Sequence, residues 1–336
     1  MTSTFEEQVN LQRLKSGTYI AAWHDDWTVG PALHGGCVAA VIRLAALTHL
    51  RTDSRFHSQP HLLNLHLDLI RACARGDMTI TVTVLKIGAV VSTIQLQVVQ
   101  DDKVKVIALS NTTNFDQDLG PSIPASKSWT GLLPPPTPKP NFGEVMRGGI
   151  DPNWVPLHVT GEILPIMGRI VGLWPRGGFA APGICDIWYT LLGDEQVDES
   201  YVTLMTDLTP SMSDTLLQNG GLHDAHVFRQ GAERWASDHP GTTCHLEINF
   251  SEAAKAKTLN NTVTLDIEFK RSLPKEGLRF VLIRTETKML SGGRMDVEVT
   301  ICSEDMDILC CSRQIILILD AVRRFGRGDK TTASRI

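Results

Sequence analysis

The sequence predicts an α+β protein in which one plan, a single apolar helix packed against an antiparallel sheet, occurs twice. Alternating apolar residues, typical of strands with one buried face, fill much of both halves of the chain. Each half also has one segment with apolar residues at helical spacing, the first from Cys37 to about Leu50 and the second from about Pro210 to Gln218. The repeat is therefore one of pattern and not of identical residues.

In the first half, a loop ending in Gly35-Gly36 precedes the predicted helix. The absence of side chains there allows another group to approach the backbone closely. Four alternating segments follow and predict an antiparallel meander with one apolar face. These segments are His61–Ile70, Met78–Val84, Ile94–Val98 and Val104–Leu109.

In the second half, residues 184–206 predict two strands, ICDIWYTLL and YVTLMT, before the second helix. A polar insertion spans residues 219–241. Five further strands are predicted at Cys244–Phe250, Val263–Phe269, Leu278–Leu290, Met295–Ile301 and Ile308–Leu319.

These patterns divide the chain into an N-terminal unit, residues 1–115, and a C-terminal unit, residues 157–322, that carries the functional site. The segment between them, residues 116–156, is rich in proline, glycine and serine and predicts an extended linker. Residues 323–336 are expected to form a flexible tail.

Composition excludes several classes of function. The chain has 336 residues and a net charge of −5, which argues against a nucleic-acid partner, since phosphate binding requires a basic surface. No apolar run is long enough for a membrane span, and the N-terminus lacks a signal-peptide pattern. An odd number of cysteines, seven, favours a reduced intracellular protein in the cytoplasm. The terminal Ser334-Arg335-Ile336 is weakly similar to a peroxisomal address.

Asp207 is the candidate reactive group. It follows the strand-like run Tyr201–Met205 and precedes Thr209-Pro210, which is typical of a helix start. The N–H groups at a helix start favour a carboxylate and also suit a developing oxyanion. The alternative is that Asp207 only caps the helix.

One apolar helix wrapped by an antiparallel sheet, present twice, resembles the double hotdog fold. Within that fold the chain is similar to the type II acyl-CoA thioesterases and their fungal thioesterase-like relatives. In the first half, His34-Gly35-Gly36 and the segment Val98–Lys103 carry the resemblance. In the second half, it rests on Asp207-Leu208, on Thr243 at a strand start, and on Gln314 in the last strand.

The resemblance implies a catalytic set of Asp207, Thr243 and Gln314, with Thr242 as the alternative if the register slips by one residue. Asp207 would activate a water that the hydroxyl and the amide orient, and N–H groups near Gly35-Gly36 would polarise the thioester carbonyl. Thr243 as an ordinary strand residue and Gln314 facing solvent are the structural alternatives.

A substrate-binding set is expected around the same helix starts, although His34 as a helix cap and Trp27 as a packing residue are equally ordinary interpretations. The cysteines are interpreted as buried inert thiols. No metal site and no cofactor are expected. The expected substrate-binding residues are Trp27, His34, Gly35, Gly36 and Thr209.

The predicted function is hydrolysis of an acyl thioester carried on coenzyme A or on an acyl carrier. The alternatives are a pathway enzyme that uses the same fold as a dehydratase, isomerase or cyclase, and a non-catalytic acyl-binding protein. The resemblance also implies a homo-oligomer.

Overall fold

The computed structural model describes residues 8–120, 137–179, 181–208, 225–253 and 257–320. In the first half, one long helix, α1 (Gly35–Thr52), is flanked by short strands and followed by the meander that the alternation predicts. The strands of this half are β1 (Gln12–Lys15), β2 (Thr18–Ala21), β3 (Thr28–Val29), β4 (Ala32–Leu33), β5 (His61–Leu62), β6 (Asn64–Leu69), β7 (Met78–Lys86), β8 (Thr93–Gln100) and β9 (Lys103–Thr113).

The second half contains the same kinds of element. After a short helix, α2 (Phe142–Met146), the helices are α3 (Glu199–Met205), α4 (Ala225–Asp238) and α5 (Phe250–Ala253). The strands are β10 (Trp154–Thr160), β11 (Ile170–Pro175), β12 (Ile184–Leu191), β13 (Cys244–Glu247), β14 (Thr258–Phe269), β15 (Val281–Glu286), β16 (Leu290–Ser291), β17 (Arg294–Cys302) and β18 (Ile308–Asp320).

The repeat predicted from the sequence is present in the strand order. The first half orders its strands β2-β7-β8-β9-β6, and the second orders them β12-β15-β17-β18-β14. Numbered within each half along the chain, both orders read 1-3-4-5-2, and the helix lies between the first and second strands of each set. This architecture is an α+β double hotdog, as expected.

The two halves form one continuous sheet because β6 pairs antiparallel with β14, placing Leu67 opposite Leu265. On the outer face of the same seam, Nδ1 of His66 contacts Oδ1 of Asp266. The inner face of the sheet packs on α1, which is buried around most of its circumference. Helix α3 packs against α1, so the two helices of the repeat share the core.

The prediction of a strand over Tyr201–Met205 is wrong, because these residues form most of helix α3. Their aromatic and β-branched side chains favour a strand locally. The side chain of Asp198, however, accepts a hydrogen bond from the N–H of Tyr201 at 2.8 Å and caps the helix. Burial of residues 200–205 against the core then outweighs the local propensity.

The predicted extended linker is partly structured. Phe142 of α2 stacks on Phe280 at a centroid distance of 4.3 Å and contacts Trp188 edge-on, so the segment covers the outer face of the sheet in the second half of the chain. Strand β10 begins before the predicted end of the linker, and neither it nor β11 was predicted. Helix α4 lies in the predicted polar insertion.

Two predicted strands are shorter than the sequence indicated. The strand from Cys244 ends at Glu247, and the segment Leu278–Leu290 is divided between β15 and β16. The second predicted helix from Pro210, the residue Thr209, and the tail 323–336 lie outside the described residues. Within the described part of the chain, no helix has the length and apolar character needed to cross a membrane.

Candidate active site

Asp207 lies two residues beyond α3, and its carboxylate faces the N-terminus of α1 in the other half of the chain. The backbone N–H of Gly36 lies on the side of this carboxylate and favours its charged form. The hydroxyl Oγ1 of Thr262 donates a hydrogen bond to Oδ1 at 3.1 Å. Nε2 of His34 lies 3.9 Å from Oδ2. The site is therefore built by both halves, at the seam between them.

A helix start does lie beside Asp207, that of α1, while the helix predicted from Pro210 lies outside the described residues. The environment of Asp207 is the expected one, a helix N-terminus, because the first N–H groups of α1 have no acceptor within the helix. The N–H of His34, the N-cap residue, donates to the carbonyl of Trp27 at 2.8 Å. Partial positive charge at this helix end stabilises the nearby carboxylate.

Two glycines make this approach possible. A Cβ on Gly35 would lie 2.5 Å from Oδ2 of Asp207, and a Cβ on Gly36 would lie 2.2 Å from the carbonyl oxygen of Leu204. The first contact is with a side chain and the second with the backbone at the end of α3. The Gly35-Gly36 pair is thus required for close contact between α1 and the segment that carries Asp207.

Burial raises the pKa of the Asp207 carboxyl above its ordinary value of 3.8. His34, the Thr262 hydroxyl and the Gly36 N–H oppose that rise because each favours the charged form. Burial has the opposite effect on His34 and lowers the pKa of its imidazole, although Asp207 counteracts it. Burial therefore favours the neutral form of both groups, and their mutual contact favours the charged form of each.

His34 is 7 % exposed. Its Nδ1 is buried and has no hydrogen-bond partner among the described residues. Its side chain makes no capping hydrogen bond to α1. Capping, one of the ordinary interpretations, thus does not account for this side chain, which instead borders the Asp207 carboxylate.

Thr262 was not predicted from the sequence, and a β-bulge explains why. The alternation Val263, Leu265, Ile267 and Phe269 assigns Thr262 to the outer face of β14. In the structure, Leu265 is opposite Gln314, but Thr262 rather than Val263 is opposite Ile316, because the register shifts between Thr262 and Thr264. The extra residue turns Thr262 to the inner face, as bulges commonly do near functional sites.

Gln314 lies on β18 and points inward, with only 3 % of its surface exposed. Its side-chain amide donates a hydrogen bond to the carbonyl oxygen of Thr206 at 2.5 Å. The structure therefore excludes the solvent-facing alternative. Gln314 contacts the residue immediately before Asp207 and fixes the backbone that carries the carboxylate.

Thr243 does not join this group. It precedes β13, and six strands separate β13 from β14 in the order of the sheet. No hydrogen bond links Thr243 to Asp207 in the described part of the chain. Thr242, the alternative, is exposed and exchanges hydrogen bonds with Trp235 Nε1 and the carbonyl of His239. Among the described residues, the hydroxyl that contacts Asp207 is that of Thr262.

Trp27 is fully buried and packs edge-on against Trp23 at a centroid distance of 5.9 Å. The carbonyl of Trp27 accepts the hydrogen bond from the N–H of His34 and so stabilises the loop before α1. Cys37, in the first turn of α1, is also fully buried, and burial raises its pKa, as expected for an inert thiol. The described residues contain no cluster of histidine, cysteine and acidic side chains suited to a metal ion.

Together these groups supply a base, a neutral hydroxyl beside it, and helix N–H groups directed at the same point. Such an arrangement can remove a proton from a water and stabilise negative charge on a carbonyl oxygen nearby. Leu69 of β6 lies 3.6 Å from the position of a Cβ on Gly35, so an apolar side chain borders the site.

Comparison with known proteins gives two family models that match the chain. The model of the acyl-CoA thioesterase N-terminal domain matches residues 23–113, and that of the C-terminal domain matches residues 134–318. A curated relative is the thioesterase-like protein TwmA of Talaromyces wortmannii, 23 % identical over 352 residues, with 100 % of this chain and 97 % of that protein covered.

Among solved structures, a hot dog fold protein from Alicyclobacillus acidocaldarius aligns with a TM-score of 0.67 at 14 % identity, covering 96 % of this chain and all of that one. The acyl-CoA thioesterase II TesB2 from Mycobacterium marinum aligns with a TM-score of 0.58 at 14 % identity, covering 97 % and 99 % of the two chains. At this level of identity, the structural matches establish the fold.

Proposed function

Because the chain belongs to the acyl-CoA thioesterase family, a family of thioester hydrolases, we propose that it hydrolyses acyl thioesters with Asp207 as the general base. The observation that carries the proposal is the position of the Asp207 carboxylate. It is buried, its pKa is raised, and it contacts the N-terminus of α1 and the Thr262 hydroxyl.

In the first step, Asp207 takes a proton from a water as the water oxygen attacks the thioester carbonyl carbon. A carboxylate of raised pKa is a stronger base than a solvated one, and general-base catalysis typically contributes about 10² to 10⁴-fold. Thr262 donates to Oδ1 and retains lone pairs, so the same hydroxyl can accept a hydrogen bond from that water.

The tetrahedral intermediate carries its negative charge on the former carbonyl oxygen. The N-terminal N–H groups of α1 that Asp207 leaves unused, those of Gly35 and Cys37, are the donors we assign to this oxygen. His34 adds a polar group at the same end of the helix. Collapse of the intermediate breaks the C–S bond, and the leaving thiolate takes up the proton held by Asp207.

In this mechanism Gln314 positions the general base, Asp207, and does not bind the water. Its bond to the Thr206 carbonyl holds the backbone next to Asp207, which keeps the carboxylate within reach of both Gly36 and Thr262. Thr262 replaces Thr243 in the proposed catalytic set. Coenzyme A is the thiol carrier that the family name suggests, and the acyl group is expected to extend along apolar side chains such as Leu69.

The test is release of free thiol from a panel of acyl-coenzyme A thioesters of increasing chain length, measured for the wild type and Asp207→Asn. Turnover by the wild type, and a loss of about 10²-fold or more in the variant, is expected. An unchanged rate in Asp207→Asn would remove Asp207 from the mechanism. Lack of turnover by folded wild type on the whole panel would favour a carrier-bound substrate or the pathway-enzyme alternative.

A further inference from the structure

Helices α1 and α3 come from different halves of the chain and run antiparallel, since Gly36 of α1 approaches Leu204 near the end of α3 while Arg43 contacts Glu199 at its start. The candidate site lies at one end of this helix pair. An ion pair, Arg43–Glu199, lies at the other end.

The two contacts between the helices are equally far apart in sequence on both sides. Arg43 follows Gly35 by eight positions, and Asp207 follows Glu199 by eight positions. The first interval is helical and spans about 12 Å at a rise of 1.5 Å per residue. The second consists of α3 and a turn at Thr206 and Asp207, whose N–H groups bond to the carbonyls three residues earlier. The contact of Gly35 with Asp207 and the contact of Arg43 with Glu199 therefore hold the two helices at matched positions, and a slide of α3 by one residue would break both.

Arg43 is an unusual residue for the middle of an apolar helix. It is 5 % exposed, and its guanidinium carbon lies 5.3 Å from the ring centroid of Phe269. Its Nη2 donates to Oε2 of Glu199. The other carboxylate oxygen of Glu199 accepts the N–H of Leu273 at 3.3 Å. The pair thus connects α1, α3 and the segment after β14, the strand that carries Thr262.

Helices α1 and α3 pack closely together. The part of α1 between the two contacts includes the small buried residues Cys37, Ala39 and Ala40, and α3 contributes the small buried residues Ser200 and Thr203. An ion pair that is partly buried between two helices, as Arg43–Glu199 is, can specify the register between them.

We propose that Arg43 and Glu199 are positioning residues for the hydrolysis, because their ion pair sets the register of α3 on α1 and so the distance of the Asp207 carboxylate from the N-terminus of α1. The inference rests on the proposed role of Asp207. It assigns a catalytic consequence to two side chains that lie about 12 Å from the reacting atoms.

The test compares Glu199→Ala with Glu199→Gln and with a matched control, Glu298→Ala. Glu298 is the appropriate control because its side chain has the same exposure as that of Glu199, 33 %, and is also ion-paired, to Lys288 at 2.6 Å, but it lies on β17 away from both helices. Steady-state kinetics are measured on the best acyl-coenzyme A of the panel, well below the melting temperature.

Glu199→Ala is expected to lower kcat by about 10- to 100-fold, the effect of a misplacement on the order of 1 Å. Its KM should change by less than about threefold, because the pair does not touch the substrate. Glu199→Gln retains one acceptor oxygen, enough for Arg43 or for the N–H of Leu273 but not for both bonds, so it should recover part of kcat. Glu298→Ala should leave kcat unchanged. A folded Glu199→Ala with wild-type kcat would overturn the proposal.

A second measurement does not depend on activity. In protein labelled with ¹⁵N-glycine, the Gly36 amide, identified by its shift in Asp207→Asn, reports how near the carboxylate lies to the N-terminus of α1. Glu199→Ala should move this resonance, and Glu298→Ala should not.

If Asp207→Asn were fully active while the Gly36 amide still moved in Glu199→Ala, the proposed function would fail and the register role would stand. An unmoved Gly36 amide would contradict the register role itself.

Discussion

Thr262 donates a hydrogen bond from Oγ1 to Oδ1 of Asp207 across 3.1 Å, joining strand β14 to the segment that follows α3. The contact depends on the bulge at Val263, since a regular strand would turn Thr262 to the outer face. A hydroxyl beside a buried carboxylate both favours the charged form of the acid and offers a site for water.

Replacing Thr262 by valine should lower kcat/KM by about 10- to 100-fold, because a hydrogen bond to a charged group contributes about 1.5–3 kcal/mol. Thr262→Ser retains the hydroxyl and should keep most of the activity. Thr243→Val is the matched control, the same substitution at the threonine that lies apart from Asp207. Equal losses in Thr262→Val and Thr243→Val would contradict the assignment of Thr262.

Substitution by alanine should have different effects at the two glycines that begin α1, lowering activity at Gly35 and stability at Gly36. In Gly35→Ala the new Cβ meets the Asp207 carboxylate, a side chain that can turn away, so activity should fall by about 10²-fold with the fold retained. In Gly36→Ala it meets the Leu204 carbonyl, so helices α1 and α3 must separate and the melting temperature should fall. Circular dichroism melts beside the thiol-release assay separate the two effects. Normal activity in Gly35→Ala would exclude the proposed close contact.

The acidic limb of the pH–rate profile should reflect the raised pKa of Asp207. Only the deprotonated form is a base, so log kcat/KM should fall with decreasing pH, with a midpoint above the ordinary value of 3.8. The Thr262 hydrogen bond lowers the pKa of Asp207 in the wild type. Its removal in Thr262→Val should therefore move the limb to higher pH. A midpoint at or below 3.8 would mean that the titrating group is not this buried carboxyl.

The raised pKa of Asp207 also predicts how the stability of the folded protein depends on pH. A carboxyl whose pKa is raised on folding contributes stability that is fully present below its unfolded pKa and is lost as the pH rises through its folded pKa. Asparagine at position 207 does not titrate. The melting temperature of Asp207→Asn minus that of the wild type should therefore increase from pH 4 to pH 7, as measured by differential scanning fluorimetry. A difference that decreases over this range would contradict burial as the dominant influence on Asp207.

The sequence predicted the general plan of the molecule because its signals are local and repeated. Alternation along β7, β8, β14 and β18 indicates strands with one buried face, and the spacing in α1 indicates a helix. The resemblance directed attention to Asp207, Gln314 and the pair Gly35-Gly36. The structure brings the first into contact with the glycine pair and the second into contact with the residue before it.

Tertiary structure determines the helical conformation of α3 and the face of the sheet on which Thr262 lies. Tyr201–Met205 has strand-like side chains, and only the Asp198 cap and burial against α1 make it helical. Thr262 reaches Asp207 because one extra residue in β14 reverses the face of every residue before it, and nothing in the alternation of Val263 and Leu265 reveals that residue. Alternation follows from the chain alone, whereas register, bulges and contacts between halves depend on which surfaces meet.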